Sequence, residues 1–264
     1  MNLILIKILI SIVIVVVLAE ISTRINPFLG GLLSGLPLGA GLSVYFISYQ
    51  NGIEFLVKGI PWGISALSSS ILFCFFYLLT GKYFKPKNNI ISIAASSFMG
   101  FVSFYISGYL IFKLDLNLLS ATIIFFIIFF INILILKKTK INQIIKKSKK
   151  NTITKLLIRG LIAGTIISIF TEIASIAGSR WAGILSSFPS TLFALLVVLH
   201  FEARKKLYPS VIYGFSFSVS TLLVFYIACW YLLPKLGLNL GFIVVYLISI
   251  VYLFLLNKGK NIFL

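Results

Sequence analysis

Residues 121–136 spell ATIIFFIIFFINILIL, a run that is apolar on every face and carries no charge. A helix that crosses a bilayer needs about 20 such residues, whereas outer-membrane strands alternate apolar and polar positions over about ten. The run is therefore predicted to be a membrane-spanning helix. The rest of the chain has the same character. Of its 264 residues, 60% are hydrophobic and only 11% are charged, against about a quarter charged in a soluble domain.

Nine apolar stretches of this kind can be marked, each bounded by charge, Pro, Asn or Gly. They cover residues 3–22, 28–48, 59–80, 90–112, 116–136, 156–178, 181–201, 209–233 and 239–257. In lipid, each stretch must satisfy its backbone hydrogen bonds internally, as a helix does. The predicted fold is an all-α, polytopic membrane helix bundle with about nine transmembrane helices.

The balance of charges predicts the orientation of the chain. There are 23 Lys and Arg residues against 5 Asp and Glu residues, and cytoplasmic loops carry the excess of cations. Placing the Lys-rich segment 137–155 inside puts 18 of the 23 cations inside. The five that fall outside are Lys7, Lys58, Lys113, Arg180 and Lys235. We predict a multi-pass protein of the cell (inner) membrane with its amino terminus outside and its carboxyl terminus cytoplasmic. The Lys-rich segment is expected to contact anionic lipid and not nucleic acid.

Two segments that lie 152 residues apart align with one another: EISTRINPFLGGLLSGLP (20–37) and EIASIAGSRWAGILSSFP (172–189). Six of the eighteen pairs are identical, including pairs of the scarce residues Glu and Pro. The same offset maps the first four stretches onto the last four. We therefore predict a four-helix repeat in 1–112, a linking helix with the Lys-rich loop in 113–152, and a second four-helix repeat in 153–264. Because five crossings separate equivalent helices, the second repeat should be inverted relative to the first.

A proline lies near the middle of the second helix of each repeat, at Pro37 and Pro189. Proline has no N–H, so the carbonyl four residues earlier, on Leu33 or Leu185, is predicted to lose its partner in a kinked helix. In lipid, a freed carbonyl must be satisfied by protein, water or ligand. The two kinks are therefore candidate parts of a solute pathway.

Polar residues beside the prolines complete this candidate pathway. Ser34 and Ser186 can supply hydroxyls, either to satisfy the freed carbonyls or to bind a solute. Glu20 and Glu172 are repeated carboxylates on the preceding helices, and a carboxylate within a membrane is costly and commonly functional. The alternative is that each carboxylate only pairs with a nearby arginine.

Small residues recur every four positions on the second helix of each repeat, where they let another helix approach closely. They are Gly31, Gly35 and Gly39 in the first repeat, and Gly183, Ser187 and Thr191 in the second. This stripe predicts a helix-packing groove.

The chain offers little catalytic chemistry. It has one histidine, His200, which we interpret as a residue of the membrane interface, and two cysteines within apolar runs. It has no nucleotide-binding loop and no His/Asp/Glu cluster or Ser/His pair of the usual kinds. We therefore predict that the protein is not an enzyme and uses no metal or cofactor.

The segments GGLLSGLPLGAGLSVYFISYQNGIEF (30–55) and AGILSSFPSTLFALLVVLHFE (182–202) resemble the GlpM-like family of small inner-membrane proteins. That family has four-helix units with a Gly-rich, Pro-centred second helix and a Gly-Ile-Glu loop, so this chain resembles two copies. The first copy keeps the loop at Gly52 and Glu54, whereas the second has FEARKK instead. The resemblance implies an envelope membrane protein associated with glycerol phosphate or exopolysaccharide metabolism.

Together these features predict a secondary transporter or exporter of a polar or lipid-linked metabolite, with a site near the membrane midplane between the repeats. The expected partners are the lipid bilayer and a small polar solute or ion. The alternative is a non-transporting scaffold for envelope biogenesis, in which the small-residue stripes bind partner helices.

Overall fold

The computed structural model describes residues 5–6, 8–10, 12–13, 32–84, 86, 88–138, 153–203 and 208–263. Within these residues, all regular secondary structure is helical. Some predictions fall outside them. They concern Glu20, Gly31, most of the first predicted span and the Lys-rich residues 139–152.

Nine helices are formed by the described residues. They are α1 (Leu38–Asn51), α2 (Ile53–Tyr83), α3 (Asn89–Phe112), α4 (Leu118–Lys138), α5 (Ile153–Ala177), α6 (Ser179–Ser186), α7 (Ser190–Ala203), α8 (Tyr208–Leu236) and α9 (Leu238–Phe263). In the same part of the chain, seven spans are long and apolar enough to cross a membrane, with α6 and α7 counted together as Ser179–Phe201. The predicted all-α, polytopic membrane helix bundle is confirmed.

The helices begin and end close to the limits of the apolar stretches. The stretch 90–112 forms α3, and 209–233 forms most of α8. Polar residues at the limits act as caps. The side chain of Asn88, for example, accepts a hydrogen bond of 2.8 Å from the backbone N–H of Ile90 at the start of α3.

Single glycines join three pairs of consecutive helices. Gly52 lies between α1 and α2, Gly178 between α5 and α6, and Gly237 between α8 and α9. Their φ angles are 89°, 90° and 75°, a conformation that favours glycine because it has no Cβ. At each of these positions one helix therefore ends and the next begins across a single residue.

The three glycine links lie at one end of the bundle, which we call the glycine end. Two contacts show this. Arg180, two residues after Gly178, lies 4.6 Å from the ring centre of Trp62 in the first half of α2, the helix that follows Gly52. Tyr45, in the second half of α1, donates a hydrogen bond of 3.1 Å to the side chain of Asn239, two residues after Gly237. The opposite end, which we call the histidine end, is where His200 contacts Tyr77 of α2. Helices α2, α6 and α9 begin at the glycine end, and α1, α5 and α8 end there.

Helices differ in how deeply they are buried. Most residues of the spans in Ile53–Tyr83, Ser179–Phe201 and Tyr208–Leu236 are buried, whereas those in Asn89–Phe112, Leu118–Leu136 and Leu238–Lys258 mostly face outward. The outward faces are apolar, with large side chains such as Phe130 and Leu134 exposed. Such faces belong in lipid, so the protein is a multi-pass membrane protein.

Candidate functional site

Both proline-containing helices are interrupted, and not merely kinked as predicted. Residues 34–37 and 187–189 are non-helical turns, after which α1 and α7 begin. The carbonyls of Leu33 and Leu185 receive no N–H from the prolines four residues on, as predicted, but they are not left without a partner. They accept hydrogen bonds from the backbone N–H groups of Leu36 (3.0 Å) and Phe188 (3.2 Å). The chain tightens into a three-residue turn before each proline, which satisfies these carbonyls locally.

The two interruptions have the same backbone hydrogen bonds. Four bonds recur at the offset of 152 residues, with lengths that differ by at most 0.2 Å. Written from N–H to carbonyl, the bonds at the first interruption are Gly35 to Leu32, Leu36 to Leu33, Leu38 to Leu36 and Gly41 to Pro37. Their equivalents at the second interruption, in the same order, are Ser187 to Ile184, Phe188 to Leu185, Ser190 to Phe188 and Phe193 to Pro189. The sequence match therefore corresponds to a match in local structure.

The first turns of α1 and α7 lie against one another. The hydroxyl of Ser190 lies beside the Cα of Gly39, and a Cβ on Gly39 would be 3.3 Å from both the Cγ2 atom and the backbone nitrogen of Thr191. Gly39 and Thr191 occupy equivalent positions at the offset of 152. From this contact α1 runs to the glycine end and α7 to the histidine end, each about 20 Å long.

Hydroxyl groups cap the carbonyl end of α6 at the second interruption. Ser186 lies 2.8 Å from both the carbonyl of Gly183 and the hydroxyl of Tyr226, and Ser70 donates a bond of 2.7 Å to the carbonyl of Ser187. At the first interruption, Tyr246 donates a bond of 2.8 Å to the carbonyl of Pro37. The hydroxyl of Ser186, a predicted pathway residue, is therefore engaged inside the protein.

Phe188 fills the space beside the second interruption. It is buried, and its ring contacts five other phenylalanine rings at centroid distances of 5.1 to 6.2 Å. These rings belong to Phe73, Phe101, Phe104, Phe170 and Phe193. The aromatic cluster fixes the turn between α6 and α7 against α2, α3 and α5.

Of the small residues in the predicted packing stripe, Gly35, Gly39, Gly183 and Thr191 lie at close helix contacts. Gly183 lies against the backbone of Gly59 and Gly63 in α2, and Gly35 lies against Ser218 of α8. Each interruption therefore packs against a long central helix.

Glu172 lies away from the first interruption. Its carboxylate accepts a hydrogen bond of 3.3 Å from Gln50, near the glycine end of α1. Pro37 precedes the other end of α1, about 20 Å away along its axis. Arg180, the nearest cation in sequence, pairs instead with Asp115 at 2.8 Å. The structure does not bring Glu172 together with Pro37 and Ser34.

His200 is a buried residue and not the interfacial one that the sequence suggested. Its ring nitrogens lie 3.2 Å from the hydroxyls of Tyr77 and Ser92, and its ring stacks on Tyr208 at 4.5 Å. The partners come from α2, α3 and α8, so sequence spacing gave no signal for this cluster.

Buried hydroxyls without a hydrogen-bond partner form a second feature that sequence reasoning missed. Among the described residues, eight have no such partner: Ser48, Ser65, Ser68, Ser69, Ser96, Ser168, Ser190 and Thr221. Ser69 and Thr221 are again equivalent at the offset of 152 residues. The three serines at 68–70 and the Ser-Thr pair at 220–221 were the sequence features that could have indicated these hydroxyls. Such hydroxyls are unusual in a packed interior and are candidate ligand contacts.

Comparisons with known proteins do not assign the chain to a family. No protein-family model, curated protein or solved structure matches the chain. The resemblance to the GlpM-like family therefore stays a prediction. Among the described residues, no group of three or more His, Cys, Asp or Glu side chains is placed to hold a metal ion.

Proposed function

We propose that the chain is a secondary transporter or exporter of a polar solute, whose site lies where α1 and α7 begin. One observation carries this proposal: two helices are interrupted at equivalent positions, and their second halves meet inside the bundle. Discontinuous helices of this kind form the substrate sites of many secondary transporters, because the exposed backbone groups can bind solutes at the midplane.

The proposal includes an inverted repeat that relates 1–112 to 153–264. The matched hydrogen bonds at the interruptions support it, as do the directions of the helices. Helix α2 begins at the glycine end, whereas its equivalent α8 ends there. A half-turn about an axis in the membrane plane would exchange them and would bring Gly39 onto Thr191. The residues 113–152 would have no counterpart.

We further propose that the glycine end faces outward from the cell. Reporter fusions after Lys87, Lys150 and Lys206 are then all expected in the cytoplasm, because the cation-rich segments stay inside. Membrane-impermeant cysteine labelling of the same positions checks the result. A reporter outside the cell at any one position would contradict this orientation.

Glu172 is our candidate for coupling transport to an ion gradient. Its carboxylate accepts a hydrogen bond from Gln50, which belongs to α1, one of the two helices that begin at the proposed site. A proton on the carboxylate would weaken this contact and so link the charge of Glu172 to the position of α1.

We expect Glu172→Gln to reduce proton-coupled flux at least tenfold while leaving the fold intact, because glutamine keeps the size but cannot carry the charge. Vesicles with a trapped pH-sensitive dye are given inorganic phosphate, gluconate, glutamate, glycine and glucose in turn. Glu54→Gln, at an exposed carboxylate, is the matched control and should transport as the unchanged protein does. Equal flux in both variants would rule out Glu172 as the carrier.

The close packing around the interruptions favours the scaffold as a second candidate. Gly183 touches two glycines of α2, and Phe188 is surrounded by aromatic rings. A scaffold needs such a rigid centre, whereas a transporter must open it during each cycle. Access of water-soluble reagents to this centre therefore distinguishes the two functions.

A further inference from the structure

We infer that the site where α1 and α7 begin binds an oxyanion, the carboxylate or phosphate group of a small solute. This inference rests on the proposed function and specifies its substrate class. The backbone of the two half-helices, the side chain of Ser190 and the capped carbonyls nearby all favour an anion at this place.

Two helix amino termini meet at this point. Each carries about half a positive charge from its aligned peptide dipoles. Neither α1 nor α7 has an acidic residue in its first turn, and Pro37 at the start of α1 makes no side-chain cap. Two positive ends in contact repel one another, and the repulsion is strong where water is excluded. A bound anion would turn this repulsion into attraction.

The two first turns also hold unused donors. An α-helix leaves its first N–H groups without acceptors in the helix. Here the N–H groups of Leu38 and Ser190 bond back to the preceding turn. The next two N–H groups of each helix, which are those of Gly39, Ala40, Thr191 and Leu192, make no backbone hydrogen bond to the preceding turn. We assign these four groups as the backbone donors to the ligand. Backbone donors at helix amino termini are a common means of binding carboxylate and phosphate groups.

The hydroxyl of Ser190 points to the same place. Ser190 is 2% exposed, its hydroxyl has no hydrogen-bond partner, and its oxygen lies against Gly39 in the first turn of α1. The absence of a Cβ at Gly39 gives this oxygen its room. An oxyanion held by the N–H groups would accept a hydrogen bond from this hydroxyl, which is otherwise buried without a partner.

A cation fits this place poorly because the nearby carbonyls already have donors. Ser70 caps the carbonyl of Ser187, Tyr246 caps that of Pro37, and Ser186 contacts that of Gly183. In transporters that bind cations at broken helices, such carbonyls are the ligands. These three acceptors have donors, whereas the hydroxyl of Ser190 has no acceptor.

The test measures thermal unfolding of the full chain in phosphatidylcholine nanodiscs. Sodium phosphate and sodium acetate are titrated against sodium chloride at constant ionic strength, and sodium is then exchanged for potassium. We expect a saturable rise in Tm with phosphate or acetate and no change on exchanging the cation. The oxyanion with the larger effect identifies the class of solute group.

Ser190→Ala is the decisive variant. In the absence of the anion, this variant should have the same Tm as the unchanged protein or a higher one, because the lost hydroxyl has no partner. Its apparent affinity for the oxyanion should fall at least tenfold. Ser249→Ala is the matched control, since Ser249 is equally buried but donates to the carbonyl of Val245 at 2.9 Å. It should keep the affinity.

Two results would overturn the inference: no oxyanion-dependent rise in Tm, or the same rise in Ser190→Ala, which would assign binding to the exposed lysines. Accessibility of Thr191→Cys from both sides of the membrane tests transport separately. If Thr191→Cys is accessible from both sides and oxyanions do not bind, the oxyanion inference fails but the proposed transport function stands. If oxyanions bind through Ser190 but Thr191→Cys is accessible from neither side, the binding site stands and the transport function fails.

Discussion

Replacing Phe188 by alanine is expected to lower the free energy of unfolding by about 4 kcal/mol, because the side chain is buried among five aromatic rings and leaves a large cavity. The cavity lies at the turn between α6 and α7, where the backbone has few regular helix bonds to hold it. Thermal unfolding of the purified protein in detergent measures the effect.

Phe130→Ala is the matched control for this change. Phe130 lies on α4 with 59% of its surface exposed, so its removal should change the unfolding free energy by less than about 1 kcal/mol. Equal stability losses in Phe188→Ala and Phe130→Ala would contradict the aromatic cluster around the second interruption.

Replacing Gly183 by alanine is expected to cost about 3 kcal/mol, at the upper end of the usual range for overpacking. A Cβ at this position would lie 2.9 Å from the carbonyl carbon of Gly59 and 2.9 Å from the nitrogen of Gly63. Both are backbone atoms of a central helix, so α2 and α6 must separate to make room. The Tm should fall by about 10 °C for a chain of this size.

Gly241→Ala is the control for Gly183→Ala. A Cβ on Gly241 would also meet a neighbour at 2.9 Å, but that neighbour is the end of the Leu233 side chain, which can rotate away. Gly241→Ala should therefore keep a Tm close to that of the unchanged protein. A Gly183→Ala variant that is as stable as Gly241→Ala would rule out the close crossing of α2 and α6.

Much of the fold could be predicted from the sequence because the bilayer imposes simple requirements. A crossing must be long and apolar, so the stretches 90–112 and 209–233 could be placed to within a few residues. The match of Pro37 with Pro189 also indicated equivalent local structure, and the hydrogen bonds at both turns are indeed the same.

Other features depend on contacts between distant segments, which spacing does not reveal. A proline shows that one N–H is missing, but whether the helix kinks or ends depends on how the preceding carbonyls are satisfied. The carbonyl of Leu185 accepts a hydrogen bond from the N–H of Phe188, three residues later, and the helix ends there. The burial of His200 likewise depends on Tyr77 and Tyr208, whose helices come together only in the fold.

The central claim is that a solute passes through the place where α1 and α7 begin, and access to Thr191 tests it most directly. Thr191 is 7% exposed, and the buried cysteines Cys74 and Cys229 can be replaced to give a cysteine-free background. In that background, Thr191→Cys and the control Val245→Cys are treated with a membrane-impermeant thiol reagent, in right-side-out and in inverted vesicles.

A transporter opens this site to each side in turn, so we predict that Thr191→Cys reacts in vesicles of both orientations while Val245→Cys, which is fully buried, reacts in neither. A Thr191→Cys variant that stays unlabelled from both sides, under conditions where exposed control cysteines react, would contradict transport and favour the scaffold.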